Sequence, residues 1–297
     1  MINNIKVTVI TSLFKCERYL QGYFEAVEKI INKNECEFLL LHNAPTENEL
    51  KIINSNIRNR KYFVHIVVEK REGLYSTWNR GIRMAKGKYC AIWNVDDIRF
   101  ANSLVLQADI LDKNSQCGLV VGDIIGTDHY GTEGYRYYSN KHKISKRNEI
   151  FKSCIITCFP MWRKSIHDDI GLFDEQFTCA GDFDLQIRIA NNYEIEYIEK
   201  SLGIYLENVE SKISFNKLHE IENNLIYLRY GAYEKVILYK ITSTLCQYSK
   251  DYIFNDGAKL RNTFQKPFTR FHSIKGIFIS LIKTPYYLLT DIYHIYK

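Results

Sequence analysis

The chain has 297 residues, 46% apolar and 25% charged, with 4 prolines and 15 glycines. That composition excludes a disordered, collagenous or low-complexity protein and allows one large domain or two modest ones. Its 40 basic and 34 acidic side chains give a net charge of +6 and a pI of about 8.7, short of the roughly 9 or more expected of a dedicated nucleic-acid domain. A mildly basic balance suits an anionic small ligand or an acidic membrane surface, and no nucleic-acid partner is expected.

The start, Met1-Ile2-Asn3-Asn4-Ile5-Lys6, has no basic region followed by a long apolar run, so the expectation is a cytosolic start without a signal peptide. The eight cysteines are scattered without a C-x-x-C pair and read as free buried thiols in a reducing compartment. Cys154 and Cys158 lie closest together, but no neighbouring residues complete a zinc site. No uncharged apolar run approaches the roughly 18 residues needed to span a bilayer.

Strands and helices alternate over the first third. Val7-Thr8-Val9-Ile10-Thr11 is a β-branched run, predicted to be a buried strand. Leu20, Phe24, Val27 and Ile31 then fall at helical spacing. Phe38-Leu39-Leu40-Leu41 predicts a second strand, ended by the turn and cap cluster His42-Asn43-Ala44-Pro45-Thr46. Leu50, Ile53 and Ile57 mark a helix, residues 62–68 a strand, and residues 75–85 a helix stopped by Gly87. Tyr89-Cys90-Ala91-Ile92-Trp93 is the fourth strand. This order implies a mostly parallel sheet covered on both faces, with ligands beyond the carboxyl ends of its strands. Those ends carry Thr11-Ser12, His42-Asn43 and Asn94-Val95-Asp96-Asp97.

Further on, the pattern predicts a helix at 104–111, strands at 118–125 and 154–162, and a helix at 181–190. Residues 128–148 form a polar stretch rich in Tyr, Gly and Lys, read as a mobile loop. Tyr130, Tyr135, Arg136 and Tyr137 would meet a bound ligand if it closes; a plain surface loop fits equally. From about Ser211 the pattern is mainly helical. Residues 274–296 carry an apolar face interrupted by Pro285, with lysines opposite, suited to a membrane interface or to packing against protein.

Several catalytic signatures are absent. Gly81-Ile82-Arg83-Met84-Ala85-Lys86-Gly87-Lys88 has one residue too many for a Walker loop, and Tyr89 stands where Ser or Thr should bind magnesium. No G-x-G-x-x-G follows the first strand, and serine-hydrolase and metalloprotease motifs are missing. What remains is two acidic clusters. Asn94-Val95-Asp96-Asp97 places adjacent carboxylates at the end of an apolar strand, suited to a hard divalent ion bridging a diphosphate or to a helix N-cap. Gly181-Asp182-Phe183-Asp184 opens a helix: Asp182 could act as a general base there, or Asp182 or Asp184 could pair with Arg188.

In combination these segments resemble family 2 glycosyltransferases of the GT-A fold. The likeness runs through the strand at 7–11, Asn43, Gly73-Leu74-Tyr75-Ser76-Thr77-Trp78-Asn79-Arg80-Gly81-Ile82, Ala85-Lys86-Gly87-Lys88-Tyr89 and Asn94-Val95-Asp96-Asp97. It continues with Pro160-Met161-Trp162-Arg163-Lys164-Ser165, Gly171-Leu172-Phe173-Asp174-Glu175 and Gly181-Asp182-Phe183-Asp184-Leu185, covering about the first 210 residues. The resemblance implies an α/β, Rossmann-like, mostly parallel sheet with a helical C-terminal extension. It divides the chain into a nucleotide-sugar half at 1–98, an acceptor half of the same domain at 99–210, and the extension at 211–297.

The resemblance also implies roles. Thr11, Ser12, Asn43, Asn79, Asn94 and Asp96 would bind the donor, Asp96 and Asp97 a divalent Mn2+ or Mg2+, and Asp182 would deprotonate the acceptor. Asn43 stands where the family's usual Asp touches the base, and Asn94 replaces the first acid of the D-x-D motif. Among late residues His219 is the candidate for a third metal ligand. The expected activity is inverting, metal-dependent transfer from a nucleoside-diphosphate sugar, a UDP-sugar first, to a glycan or lipid-linked acceptor in surface polysaccharide synthesis. The expected location is the cytoplasm, at the inner face of the plasma membrane. Competing readings are a degenerate transferase domain serving as a membrane-associated assembly subunit, and a sugar-1-phosphate nucleotidyltransferase. The latter lacks its glycine-rich loop after the first strand.

Overall fold

The computed structural model describes residues 5–139, 141, 154–156, 158–207 and 217–230, with 254–255, 260–261, 278 and 281–282 beyond them. The opening half alternates β1 (Val7–Leu13), α1 (Glu17–Glu28), β2 (Cys36–Asn43), α2 (Glu47–Ile57), β3 (Phe63–Val68), α3 (Leu74–Met84) and β4 (Tyr89–Ile92). There follow β5 (Ile98–Arg99), α4 (Ser103–Lys113), β6 (Cys117–Thr127), β7 (Arg136–Tyr138), β8 (Met161–Arg163), α5 (Ile166–Ile170), α6 (Gly181–Asn192), β9 (Glu194–Leu206) and α7 (Lys217–Tyr230).

Among the described residues nine strands form one sheet in the order β3-β2-β1-β4-β8-β6-β9-β5, with β7 added beside β6. The first four are parallel, as are β6 and β9, while β8 is antiparallel to both β4 and β6. The mixed, mostly parallel sheet matches the sequence expectation, and the antiparallel strand sits where the two halves join.

Side-chain alternation explains why the strands read as unbroken apolar runs. Val7 and Val9, Phe38 and Leu40, and Tyr89 and Ala91 enter one core, with α1, α2 and α4 above it. Ile10, Leu39 and Leu41, and Cys90 and Ile92 enter the other, against α3, α6 and α7. Both faces are buried, so both phases of the alternation must be apolar. Gly81 permits the close seating of α3: a Cβ there would lie 2.7 Å from Ile10 and 3.0 Å from a Leu41 methyl.

The structure departs from the sequence reading in several segments: β5 and the 13-residue β9 are strands without a predicted counterpart, and Phe254–Asn255 pairs antiparallel with Leu260–Arg261 inside the stretch read as mainly helical. Only Met161–Arg163 of the predicted 154–162 strand pairs in the sheet; before it, Ile155 and Ile156 instead donate their backbone N–H groups to the Gln186 side chain. Part of the predicted mobile loop is ordered, because Arg136–Tyr138 pairs with β6 and Arg136 bridges Asp128 and Glu207. Residues 140 and 142–148 lie outside the described residues, as does the 274–296 segment except for exposed Phe278, Leu281 and Ile282. Cys246 also lies outside them; the other seven cysteines are free thiols. No helix among the described residues is long and apolar enough to cross a membrane.

Candidate active site

A cleft of about 600 Å³ opens beyond the carboxyl ends of β1 and β4. Its walls bring together Ser12, Arg18, Asn94, Asp96, Trp78 and Asp182. Residues from Ser12 to Asp182, 170 positions apart, thus meet in one hollow, where the parallel half of the sheet places its ligand edge.

The acid turn follows directly from β4. Trp93 extends the ladder by donating its N–H to Ile10 O at 3.1 Å, and its buried indole Nε1 donates to Asp97 O at 2.9 Å. The Asp97 N–H closes the turn on Asn94 O at 3.1 Å. Asp97 points inward: its Oδ1 accepts from Leu206 N at 3.1 Å, and its Oδ2 from the Asn94 amide at 3.2 Å. Asp96 is half-buried and borders the cleft. The negative field of the pair reaches the surroundings: burial first, then Asp96 and Asp97, push the Tyr130 phenol well above its ordinary value. A hard divalent cation fits Asp96, a carboxylate on the cleft wall, while Asp97 also spends its oxygens on securing the turn.

Asp182 sits in the first turn of α6, half-buried on the cleft wall. Burial pushes its carboxyl up to about 6, against the opposing pull of the Phe183 N–H and the positive form of His219. A carboxylate titrating near 6 is ionised at neutral pH yet basic enough to take a hydroxyl proton. Gly181 lets this turn approach α3, since a Cβ there would meet the Tyr75 ring at 2.8 Å. Asp184, the other acid of the motif, is fully buried and bonds Arg188, Arg229 and Tyr230. Of the two sequence alternatives for Arg188, the structure selects Asp184.

The remaining predicted donor residues divide by position. Ser12 borders the cleft, whereas Thr11 is buried behind it with Oγ1 2.8 Å from the Tyr23 hydroxyl. Asn43 ends β2 and ties two segments together, donating to Thr77 Oγ1 at 3.0 Å and accepting from Glu72 N at 3.0 Å. Asn79 clips α3 to the Gly171-Leu172-Phe173-Asp174-Glu175 segment, exchanging two 2.9 Å bonds with the Phe173 backbone and donating to Glu175. Tyr130, from the predicted loop, packs edge-on against Tyr19, a cleft residue, and donates to its carbonyl. His219 lies on the Asp182 side, where its charge favours the carboxylate.

Two residues escaped the sequence reading. Buried Glu222 of α7 accepts from the backbone N–H groups of Thr178, Cys179 and Ala180 at 2.7, 2.8 and 2.9 Å, just ahead of Asp182. Arg229, about two turns further along α7, pairs with Asp174 at 3.0 Å and Asp184 at 2.7 Å, all three fully buried. The only sequence signal for them was charge interspersed among apolar residues such as Leu225 and Ile226 in a segment read simply as helical.

The profile of Glycosyl transferase family 2 matches residues 8–171, more than half of the chain, and the chain belongs to that family. It is 27% identical over 213 residues to an uncharacterised glycosyltransferase of Methanocaldococcus jannaschii, an alignment covering 68% of this chain and 72% of that one. It is 21% identical over 199 residues to a chondroitin synthase of Escherichia coli, covering 65% of this chain but 28% of the longer relative. Among solved structures, residues 1–349 of S. aureus TarS in complex with UDP-GlcNAc superpose with a TM-score of 0.61 at 16% identity, over 74% of this chain and 65% of that one. The Pyrobaculum calidifontis mannosyltransferase PcManGT, in complex with GDP-Man and Mn2+, gives 0.60 at 11% identity, over 95% and 87% of the two chains. The fold is therefore that of GT-A glycosyltransferases, and the chain is a transferase by family.

Proposed function

We propose that this chain moves a sugar from a nucleoside-diphosphate sugar, a UDP-sugar first among them, to a hydroxyl of a glycan or lipid-linked acceptor in surface polysaccharide synthesis. The observation that carries this reading is one cleft holding Asp96 on one wall and, on the other, Asp182 with its carboxyl raised to about 6. The binding of UDP-GlcNAc by TarS and of GDP-Man with Mn2+ by PcManGT supports a nucleotide-sugar donor. In this reading residues 1–98 hold the donor, 99–210 the acceptor, and 211–297 form an extension. The reaction takes place in the cytoplasm, at the membrane's inner face when the acceptor is lipid-linked.

Ser12, Asn94 and Asp96 face the donor, and Thr11, Asn43 and Asn79 act through the scaffold that sets those positions. Asp96, with Asp97 steadying the turn, would hold Mn2+ or Mg2+, which would supply positive charge for the leaving diphosphate. Asp182 accepts the proton of the attacking hydroxyl, and the aromatic wall of Tyr75, Trp78 and Phe173 excludes water beside it. Asp182 acting as a single base fits direct displacement with inversion.

The test is a panel of UDP- and GDP-sugars assayed for transfer and slow hydrolysis, with Mn2+, with Mg2+ and with EDTA. Metal-dependent turnover of one nucleotide sugar is expected. No turnover and no binding of any nucleotide sugar in either metal would overturn the reading.

A further inference from the structure

Away from the acid turn, a second set of ligand-type side chains converges at the same edge of the sheet. Cys16 precedes α1, His42 is the penultimate residue of β2, and Glu49 lies in the first turn of α2. All three are buried, and one ligand atom from each lies within 4.8 Å of the other two. The His42 ring is engaged at both nitrogens: Nε2 lies 3.3 Å from Glu49 Oε2, and Nδ1 lies 3.2 Å from His65 Nε2.

We propose that Cys16 Sγ, His42 Nε2 and the Glu49 carboxylate form a binding site for Zn2+, separate in its residues from the Asp96 turn. The donor chemistry selects the metal. Thiolate, imidazole and carboxylate together suit a borderline-soft cation, whereas the oxygen-only acid turn suits Mn2+ or Mg2+. The charges also close: a thiolate and a carboxylate balance a dication, so the filled site carries no net charge into a buried place. Zinc bonds of about 2.0–2.3 Å at tetrahedral angles set ligand atoms about 3.3–3.8 Å apart. The His42–Glu49 edge already has that length, and rotation of the Cys16 side chain brings the sulfur in.

His65 completes the arrangement as a partner of the ligand. With the metal bound, His42 gives its Nε2 lone pair to zinc and donates Nδ1–H to His65 Nε2, the usual support for a ligating histidine. Without it, Nε2–H donates to Glu49 and Nδ1 accepts from His65, so binding exchanges the tautomers of both rings. Capture of the ion converts the Cys16 thiol and Zn2+ into a zinc thiolate and one proton released to solvent. Cys16 also borders the cleft, which provides the ion's route in and a place for a water as fourth ligand. The filled site ties the start of α1, the end of β2 and the start of α2 into one unit.

The experiment uses the full chain, stripped with EDTA and titrated with Co2+ as a spectroscopic stand-in and then with Zn2+. One equivalent of Co2+ should produce tetrahedral visible bands and a thiolate charge-transfer band, both erased by Zn2+. Calorimetry in buffers of different ionisation enthalpy should show one proton released, and the melting temperature should rise with Zn2+. Cys16→Ala should abolish the charge-transfer band, and His65→Phe should weaken Zn2+ binding about 10–100-fold. Should Cys16→Ala fail to fold, His42→Gln read by the same spectra decides. No saturable binding in the parent chain, or unchanged spectra and affinity in Cys16→Ala or in that replacement, overturns the site. None of these readouts involves sugar transfer, so the proposed activity stands or falls separately.

Discussion

The two walls of the cleft are held in place by different means. The acid turn at 94–97 is largely self-supporting: its backbone closes on itself, Trp93 locks it from beneath, and Asp97 anchors it to the end of β9. Asp182 instead depends on a helix more than 30 residues later, whose Glu222 gathers three backbone N–H groups and whose Arg229 neutralises Asp174 and Asp184. That helix lies beyond the stretch matched by the family profile. The lesson is that the proposed donor wall is held chiefly by bonds within its own turn and one to β9, while the proposed catalytic wall is braced from a separate helix, α7.

The largest effect should come from the self-supporting wall. Asp96→Ala should lower transfer by roughly 10³-fold or more, since it removes the carboxylate that holds charge against the leaving diphosphate. The melting temperature should stay close to that of the parent, because Asp97 secures the turn. Unchanged turnover would break the assignment of this wall to the donor.

Asp182→Asn should cost about 10²–10⁴-fold in kcat with donor binding nearly intact. In the parent chain kcat should fall as pH drops below about 6, because a protonated Asp182 cannot accept the hydroxyl proton, and should level off above it. The variant should lose that limb of the profile. If the limb persists, another group is the base.

Glu222 measures how far the second wall leans on its outside support. Glu222→Ala leaves three N–H groups without their acceptor and should destabilise the fold by about 2–4 kcal/mol, lowering kcat with it. Glu222→Gln should do roughly half the damage, because it keeps an acceptor but loses the charge. Denaturant midpoints and kcat measured together on both variants test this. Full stability with full activity in Glu222→Ala would show that α7 merely covers the wall.

The smallest effect is expected at Asn43. Asn43→Ala should remove about 1–2 kcal/mol of stability through the lost bonds to Thr77 and Glu72, with little change in donor KM. A KM rise above about tenfold at unchanged stability would instead place the amide on the nucleotide base.

Much of this arrangement was legible in the chain itself. Apolar runs at 7–11, 38–41 and 89–93 separated by helical spacing dictate a parallel sheet buried on both faces, and the ligand edge follows from that topology. The acid turn was legible because two carboxylates directly after such a run have few places to go but the strand end. Less legible was the division of labour within pairs. Asp182 and Asp184 stand two residues apart, yet one faces the cleft and the other is locked by Arg188, Arg229 and Tyr230. Asp96 and Asp97 both border the cleft, and Asp97 in addition accepts from Leu206 N.

By itself, then, the order of residues determined the sheet, its buried faces, the edge on which chemistry can occur and the family to which the chain belongs, because all four follow from periodicity and local motif. Only the tertiary structure decided that Asp182 rather than Asp184 meets the cleft, that Glu222 and Arg229 brace the segment around it, and that Cys16, His42 and Glu49 converge. Those outcomes rest on contacts between segments tens of residues apart, where a side chain's partner is set by the packing of whole elements and leaves no periodic trace in the sequence.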